Sequence, residues 1–309
     1  MKSTFVLGTR GSPLARWQTE HVLFVLRQVF PELKTQVEII KTQGDQILDL
    51  SLAQMAQQGD KGLFTKELEQ ALLDQKIDLA VHSLKDLPTR LPDGMMIGAI
   101  LERHAPNDVL VLPQNQNLQN LEELPPGSLI GTGSLRRQTQ LQRLRPDLRF
   151  ADLRGNIQTR LDKLDRGDFA AILMARAALE RLGKTDRISL ILPSAQMLPA
   201  VGQGAIAIEI RDKDPDTFEL LQKINHLPTA LCCQAERAFL RHLGGGCEQP
   251  IAAHAILKDQ NLLLYGFVSS TDGQNYLKAH LSGNAESPDE LGIALAEQML
   301  GQGARAILS

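Results

Sequence analysis

Short apolar runs alternate with helical patterns along the larger part of this 309-residue chain. The short runs are rich in β-branched residues and predict buried strands, whereas the stretches between them space their apolar residues as helices do. Strands that alternate with helices favour parallel sheets of the doubly wound kind. The predicted strands are Thr4–Thr9, Gln36–Lys41, Ile77–Val81, Met95–Leu101, Asp108–Leu112, Leu129–Ile130, Phe150–Leu153, Phe169–Met174, Ile188–Leu192 and Ala205–Ile210.

The pattern changes after Pro228. One long helix over about Thr229–Leu243 ends in glycines, and a last helix begins at about Pro288. Between them, three runs bounded by turn residues predict antiparallel strands, which indicates a separate, smaller α+β domain. These strands are expected near Ile251–Leu257, Leu262–Ser269 and Tyr276–Leu281.

Composition excludes several classes of protein. Hydrophobic residues make up 43% of the chain and charged residues 22%, as in soluble globular proteins. A net charge of −3 provides no overall basic field for nucleic acid. No apolar run approaches the roughly 20 residues of a membrane span. Three cysteines, two of them adjacent, form neither a disulfide framework nor a metal site, so we expect a cytoplasmic protein without bound metal, nucleic acid or membrane.

The strand predicted to begin at Ile77 leads directly into a polar segment. Open α/β sheets place their ligand chemistry at the carboxyl ends of strands, so this segment predicts a site. A buried carboxylate there would stay ionised only beside cations or hydrogen-bond donors. The alternative is a solvated loop pair of Lys85 and Asp86. The polar residues of the segment are His82, Ser83, Lys85 and Asp86.

Three predicted strand-to-helix turns place arginines beside a helix start, where free N–H groups favour an anion. The first two turns share a glycine and threonine before a serine, which indicates two related βα units. With Arg181, these arginines predict an anion-binding pocket, because guanidinium matches carboxylate or phosphate in two-point contacts. Surface ion pairing is the alternative. The candidate N-caps are Ser12, Ser134 and Asn156, and the neighbouring arginines are Arg10, Arg136, Arg137, Arg154 and Arg160.

Cys247 follows three glycines. A helix C-cap needs one glycine, so the others suggest a loop that gives access to the thiol. A thiolate there could act as a nucleophile, and a buried inert cysteine is the alternative. Cys232 and Cys233 lie in an apolar helix and are expected in the core.

Several motifs together resemble the hydroxymethylbilane synthase family, also called porphobilinogen deaminase, in the expected order along the whole chain. Two departures are Gln57–Asp60 before Lys61, and Gly133 where a serine is common. The motifs are Gly8-Thr9-Arg10-x-Ser12-x-Leu14-Ala15, Lys61-Gly62-Leu63-Phe64, Val81-His82-Ser83-Leu84-Lys85-Asp86, Ser134-Leu135-Arg136-Arg137-Gln138, Leu153-Arg154-Gly155-Asn156 with Thr159-Arg160, Leu198–Ala205 and Gly245-Gly246-Cys247.

The resemblance implies a fold and a domain division. It implies two periplasmic-binding-protein-like α/β domains of type II around a cleft, and a small α+β C-terminal domain carrying the cofactor cysteine. The implied boundaries are 1–102 plus 204–222, 103–203, and 223–309. The return of the chain to the first domain is something that the sequence alone does not reveal.

The resemblance also implies a reaction. Four porphobilinogens are joined head to tail with loss of ammonia on a dipyrromethane primer, which a thioether attaches to Cys247, and water releases hydroxymethylbilane. The enzyme is expected to be a cytoplasmic monomer. The implied catalytic residues are Asp86 and Lys85. The implied cofactor contacts are Cys247, Ser83, Lys85, Asp86, Thr132, Ser134, Arg136, Arg137, Arg154 and Gly155. The implied substrate contacts are Arg10, Ser12, Lys61, Arg154, Arg160, Arg181 and Gln203.

A polar segment from about Gln43 to Lys61 is expected to be a mobile lid over the cleft, because it has few apolar anchors. Two other functions are weighed against the enzyme. A cytosolic anionic-solute-binding protein would need the arginines but not the cysteine loop. A phosphate-handling transferase would need a P-loop lysine motif, which the chain lacks.

Overall fold

The computed structural model describes residues 4–42, 65–246 and 248–309. Its strands form two five-stranded sheets and one three-stranded sheet. The predicted lid, Lys61 and Cys247 lie outside the described residues. The strands are β1 (Phe5–Thr9), β2 (Thr35–Ile39), β3 (Leu79–Ser83), β4 (Met95–Ile100), β5 (Asp108–Val111), β6 (Leu129–Gly131), β7 (Arg149–Ala151), β8 (Ala171–Ala175), β9 (Leu190–Ile191), β10 (Ile206–Arg211), β11 (Ile251–Lys258), β12 (Asn261–Ser269) and β13 (Tyr276–Asn284).

The helices of the described residues pack on the faces of these sheets. Those that contact the five-stranded sheets cover apolar strand faces, as in α/β proteins. Short 3-10 helices lie at Leu84–Asp86, Leu121–Glu123 and Thr185–Arg187. The helices are α1 (Pro13–Val29), α2 (Lys66–Leu73), α3 (Leu135–Leu144), α4 (Ile157–Asp165), α5 (Arg176–Arg181), α6 (Pro215–Gln222), α7 (Leu227–His242), α8 (Pro288–Gly301) and α9 (Ala304–Leu308).

The first sheet has the order β2-β1-β3-β10-β4. Strand β1 runs parallel to β2 and β3, whereas β10 runs antiparallel to β3 and β4. The second sheet has the order β7-β6-β8-β5-β9, and β5 runs antiparallel to both of its neighbours. Both five-stranded sheets are therefore mixed, whereas the sequence pattern favoured parallel sheets. The chain passes from one five-stranded sheet to the other just before β5 and again just before β10. Each of these two strands therefore runs opposite to its neighbours.

The two sheets repeat one local arrangement. β1 in the first sheet and β6 in the second each lie between two parallel partners. Each leads into a helix whose N-terminus a serine caps: Ser12 Oγ accepts from Ala15 N at 3.2 Å, and Ser134 Oγ accepts from Arg137 N at 3.4 Å. The predicted pair of related βα units is confirmed in this topology.

The C-terminal unit is an antiparallel β11-β12-β13 sheet that packs against α7 and α8. Helix α7 begins at Leu227, two residues before the predicted start. The reason is that His226 caps it and Pro228 occupies its first turn, a position that does not need an N–H group. Cys232 and Cys233 are buried free thiols, as expected. The predicted fold class, two α/β units plus a small α+β unit, is confirmed.

Two crossings of the chain connect the five-stranded sheets, and they lie side by side. His104 N donates to Gly204 O at 3.1 Å, and Leu101 N donates to Ile206 O at 3.0 Å. Gly204 has φ +87°, and a Cβ there would lie 2.4 Å from His104 O, so only glycine fits. Among the described helices, none is long and apolar enough to span a bilayer. The domain boundaries given above stay a prediction.

Candidate active site

A pocket lies at the carboxyl ends of β1 and β3, which are parallel neighbours and therefore end at the same edge of the sheet. Arg10 and Ser12 reach it from the turn after β1, and Ser83 and Asp86 reach it from the end of β3. Gln18 of α1 also lines it and donates from Nε2 to Ser83 Oγ at 2.8 Å. The structure thus brings together two motifs that are far apart in the sequence.

Asp86 ends the short 3-10 helix that follows β3, and it is exposed. The expectation of a buried carboxylate is therefore wrong. The helical turn carries the side chain beyond the end of the strand, so Asp86 stands in the open pocket rather than beneath it. An exposed carboxylate is solvated by water and needs no buried counter-charge.

Lys85 is partly buried, and its Nζ lies 3.4 Å from Gln203 Oε1. Burial lowers the pKa of Lys85 to about 8, and the charge of Arg137 adds to this effect. The charges of Asp86 and Asp108 act in the opposite direction. Burial, rather than the balance of these neighbouring charges, is therefore the main cause of the lowered pKa of Lys85.

Asp108, the first residue of β5, holds Arg136 and Arg137 in the interior. Its Oδ2 lies 2.6 Å from Arg136 Nη1, and its Oδ1 lies 2.9 Å from Arg137 Nε. Gln203 donates from Nε2 to the same Oδ1 at 2.9 Å. These cations hold the pKa of Asp108 well below its usual range despite burial. Sequence reasoning missed Asp108, and the available signal was a carboxylate at the head of an apolar strand.

Arg154 and Arg160 lie at the start of α4, around a turn that requires glycine. Arg154 donates from Nε to Asp152 Oδ2 at 2.6 Å, and Arg160 donates from Nε to Gly155 O at 2.8 Å. Gly155 has φ +109°. Burial lowers the pKa of Arg160 to about 10, and the charge of Arg137 contributes, as does that of Arg154.

Thr132 and Ser134 bound the turn between β6 and α3. Thr132 Oγ1 accepts from Ser134 N at 3.2 Å, and the side chain of Ser134 caps α3. Gly133 between them has little room, since a Cβ there would lie 2.8 Å from Asp152 Oδ1. The Thr132 turn thereby lies beside the Asp152–Arg154 ion pair.

Arg181 contacts the crossing between the sheets. Its Nη2 donates to Gly204 O at 2.7 Å, and its guanidinium lies 5.6 Å from the centroid of the Trp17 ring. The charge of Arg137 acts on both Lys85 and Arg160, whereas the charge of Glu180 acts on Arg181. Arg181 therefore stabilises the crossing between the sheets. It is also a predicted substrate contact.

Sequence reasoning also missed a buried ion pair that ties the crossing to the C-terminal unit. Arg103 Nη1 lies 2.6 Å from Glu236 Oε1 on α7, and Arg103 Nε donates to Gln203 O at 2.7 Å. Glu236 also accepts from Gly202 N and Ala255 N at 2.8 and 2.9 Å. Arg103 lowers the pKa of Glu236 to about 2, against the effect of burial. No sequence motif pointed to this pairing.

The donors of this site suit a ligand that carries several carboxylates. Asp108 is one carboxylate between two guanidiniums, and burial lowers the pKa values of Lys85 and Arg160, with repulsion from Arg137 adding to the effect. A bound polycarboxylate would relieve this repulsion. The described part of the chain has no group of three or more His, Cys, Asp and Glu residues that could hold a metal ion.

Comparison with known proteins agrees with this chemistry. The model for "Porphobilinogen deaminase, dipyromethane cofactor binding domain" matches residues 5–219, and the model for "Porphobilinogen deaminase, C-terminal domain" matches residues 230–301. The porphobilinogen deaminase of Synechococcus elongatus is 50% identical over 302 residues, which cover 98% of this chain and 93% of the relative. That of Chlorobium chlorochromatii is 47% identical over 100% of this chain and 98% of the relative.

Among solved structures, the periplasmic aliphatic sulphonate binding protein SsuA of Escherichia coli is 15% identical, with a TM-score of 0.43, over 78% of this chain and 70% of that one. The relatives match the chain at about half of its positions and along nearly its whole length. Together with the two family models, they show that the chain belongs to the porphobilinogen deaminase family.

Proposed function

We propose that Asp86 is the catalytic carboxylate of the reaction that this family membership assigns to the chain. The chain is a transferase that joins four porphobilinogens head to tail with loss of ammonia, on a dipyrromethane primer, and then releases hydroxymethylbilane by hydrolysis. The observation that supports these roles is the pairing of one open carboxylate with a surrounding group of cations.

The role of Asp86 follows from where charge develops. Loss of ammonia from the aminomethyl group leaves positive charge on the pyrrole of the substrate. A carboxylate already fixed in the pocket stabilises that charge without reorganising, which is the usual basis of electrostatic catalysis. Asp86 lines the pocket with Arg10 and Ser12, which would bind a carboxylate of the same substrate. We assign Lys85 to the same step, as a cation whose proton can be released near neutral pH, and to binding a carboxylate of the substrate.

The cations on the second sheet would hold the primer. When bound, dipyrromethane supplies the pyrrole to which the first substrate is joined. Each pyrrole carries an acetate and a propionate, so Arg136, Arg137 and Arg154 would pair with these groups while Ser83, Thr132 and Ser134 donate hydroxyl hydrogen bonds. Gly155 is also assigned to the primer, through its backbone. Arg160, Arg181, Gln203 and Lys61 are assigned to the substrate, and Arg154 is assigned to the substrate as well as to the primer.

Cys247 is the proposed attachment point, and its mass tests the assignment. The protein as isolated should be heavier than its sequence by one dipyrromethane and should give a coloured product with Ehrlich's aldehyde. Burial raises the pKa of Cys232 to about 11 and raises that of Cys233 further, so neither thiol forms the nucleophilic thiolate at neutral pH.

Three variants complete this test. Cys247→Ser should lack the adduct and be nearly inactive, whereas Cys232→Ser and Cys233→Ser should keep it. An active but unmodified parent protein would contradict the assignment, as would an adduct on either helical cysteine. A protein that binds porphobilinogen without turnover and without an adduct would instead be a solute-binding protein.

We also propose that the enzyme acts as a monomer in the cytoplasm. The buried free thiols of Cys232 and Cys233 suit a reducing compartment. Large exposed apolar side chains among the described residues are spread over several elements, for example Phe24 on α1, Leu227 on α7 and Ile256 on β11. Light scattering should give the mass of one chain, and a stable dimer mass would contradict the monomer.

A further inference from the structure

His82 is a pocket residue to which the roles above give no task. It lies in β3 directly before Ser83 and is 5% exposed. It nevertheless lines the pocket together with Arg10, Ser12 and Asp86. An ionisable side chain that is buried yet borders a ligand pocket is a candidate for a functional role.

The imidazole of His82 faces a carboxylate from the neighbouring strand. In the antiparallel register of β3 and β10, His82 lies opposite Ala207, so Glu209 is its diagonal neighbour on the same face. His82 Nε2 lies 3.0 Å from Glu209 Oε2, and the two side chains are 4% and 0% exposed. The contact is close but not aligned as a hydrogen bond, so Nε2 and both oxygens have no hydrogen-bond partner among the described residues.

A second carboxyl group, that of Glu69 on α2, lies beside this pair. Glu69 is 7% exposed, and its Oε1 has no hydrogen-bond partner among the described residues. Burial raises the pKa of Glu69, and the charge of Glu209 adds to the effect. His82 acts on it in the opposite direction, as do Thr65 and Lys66. Burial therefore favours the neutral form of Glu69.

Glu209 needs a positive charge. A carboxylate taken wholly out of water costs several kcal/mol unless a cation compensates it. Within the described ranges, His82 is the ion-pair partner of Glu209. Around the pair, α2 packs against β3 with the apolar side chains of Leu68 and Leu72, which offer no hydrogen bonds. A protonated His82 is thus the group that can balance Glu209.

The protonation state of the His82 ring decides whether Nδ1 donates or accepts a hydrogen bond. With Nε2 turned to Glu209, Nδ1 is the nitrogen left for other contacts. In a neutral ring Nδ1 would be an acceptor and would repel a carboxylate, whereas in an imidazolium both nitrogens are donors. Arg10 and Ser12 already mark this pocket as a place for a carboxylate.

We propose that His82 is a further substrate-binding residue, which Glu209 holds as an imidazolium so that Nδ1–H donates to one carboxylate of porphobilinogen. Glu209 is then a positioning residue, because it acts through His82 and touches no substrate. The proposal rests on the proposed function for its ligand. The charge state of the ring can be measured without turnover, so the two can fail separately.

The first experiment measures protonation of the ring. Nitrogen-15 chemical shifts of His82, assigned with the help of His82→Asn, should show a doubly protonated ring in the parent holoenzyme at neutral pH. Glu209→Gln removes the counter-charge and should give a neutral ring. Glu69→Gln leaves the Glu209 counter-charge in place and should leave the ring doubly protonated. A neutral ring in the parent overturns the proposal, as does equal behaviour of the two glutamine variants.

The second experiment measures which substrate group His82 recognises. KM for porphobilinogen should rise at least about tenfold in His82→Asn and in Glu209→Gln, with kcat changed much less, because a hydrogen bond to a charged group is lost. Analogues with the acetate or the propionate converted to its amide identify the partner. One of the two analogues should bind equally well to the parent protein and to His82→Asn.

Two controls separate recognition from damage to the fold. Glu297→Gln removes the partner of His242 in an ion pair on the C-terminal unit, and it should leave KM unchanged. Intact mass should show the primer on each variant. The binding role is wrong if His82→Asn weakens the binding of both amide analogues as much as it weakens the binding of porphobilinogen. It is also wrong if only kcat falls.

Discussion

The Oδ2 atom of Asp108 lies 2.6 Å from Nη1 of Arg136, with the two side chains 0% and 5% exposed. Arg137 shares the same carboxylate. Two guanidiniums on one carboxylate leave a net positive charge in the interior, close enough to act on Lys85. This arrangement gives Arg136 and Arg137 a structural task in addition to the ligand contacts proposed for them.

Asp108→Asn should therefore destabilise the protein strongly. Two buried guanidiniums would lose their carboxylate, and breaking a buried ion pair costs about 3–5 kcal/mol. Denaturant unfolding of the holoenzyme measures the loss. Asp147→Asn is the matched control, because its ion pair with Arg145 is partly exposed, with Asp147 37% accessible, and its loss should destabilise the protein far less. Similar losses of unfolding free energy in both variants would show that the buried ion pairs of Asp108 stabilise the protein no more than an exposed one.

Asp86→Asn should abolish most turnover and leave the fold intact. Asp86 is exposed, so the substitution removes charge without creating a buried cavity or an orphaned cation. By analogy with losing one preorganised donor in other enzymes, we expect kcat to fall about 100- to 1,000-fold. Turnover is measured beside the melting temperature. A kcat within tenfold of the parent value would remove Asp86 from the central role.

Lys85 should make substrate binding sensitive to alkaline pH. Its folded-state pKa of about 8 means that the ammonium is present below that pH and is lost above it. KM should therefore rise as pH increases through about 8. Lys85→Arg keeps its charge, so its KM should stay level over the same range. An identical rise in both proteins would place the titrating group elsewhere.

The same shift has an opposite effect on stability. The folded pKa of Lys85 lies below its ordinary value of 10.5, so the unfolded chain binds this proton more tightly. Between the two pKa values the unfolded state carries more protons, and this residue makes the folded state more stable as pH rises. Over the pH range between these two pKa values, substrate binding should therefore weaken while the contribution of Lys85 to the free energy of unfolding increases.

Gly133→Ser should weaken ligand binding through Asp152. A Cβ at residue 133 would lie 2.8 Å from Asp152 Oδ1 and would push away the carboxylate that holds Arg154 Nε. The double variant Gly133→Ser with Asp152→Ser removes the clash and should bind porphobilinogen better than Gly133→Ser alone. KM values for the two single variants and the double variant measure the coupling. Additive effects would show that residues 133 and 152 act independently.

Local signals in the sequence predicted local structure well. Ser12, Ser134 and Asn156 cap the helices that they were expected to cap, since capping depends on residues only three positions apart. The strand before Ser83 and the buried cysteines of α7 followed from apolar patterning in the same way.

Relationships between distant residues could not be predicted from these signals. Asp108 looks like the polar edge of a strand until the fold places two arginines against it. Glu209 lies in an apolar run, and nothing near it in sequence shows that His82 is its partner. The exposure of Asp86 depends on a single 3-10 turn. The family resemblance, rather than any pattern of residues, indicated that the chain returns to the first sheet.

That return sets the order in which a growing chain can fold. β10 lies between β3 and β4, so the first sheet stays in separate parts until Arg211 has been synthesised. Every strand of the second sheet lies between Asp108 and Ile191 and is therefore available earlier. On the ribosome, the unit that is begun first should be completed second, and β3 with its polar end has to wait for a segment made more than a hundred residues later. A nascent chain that stalls before β10 would expose the open edge of β3 to other chains, a hazard that chaperone binding to ribosome-bound chains of defined length could reveal.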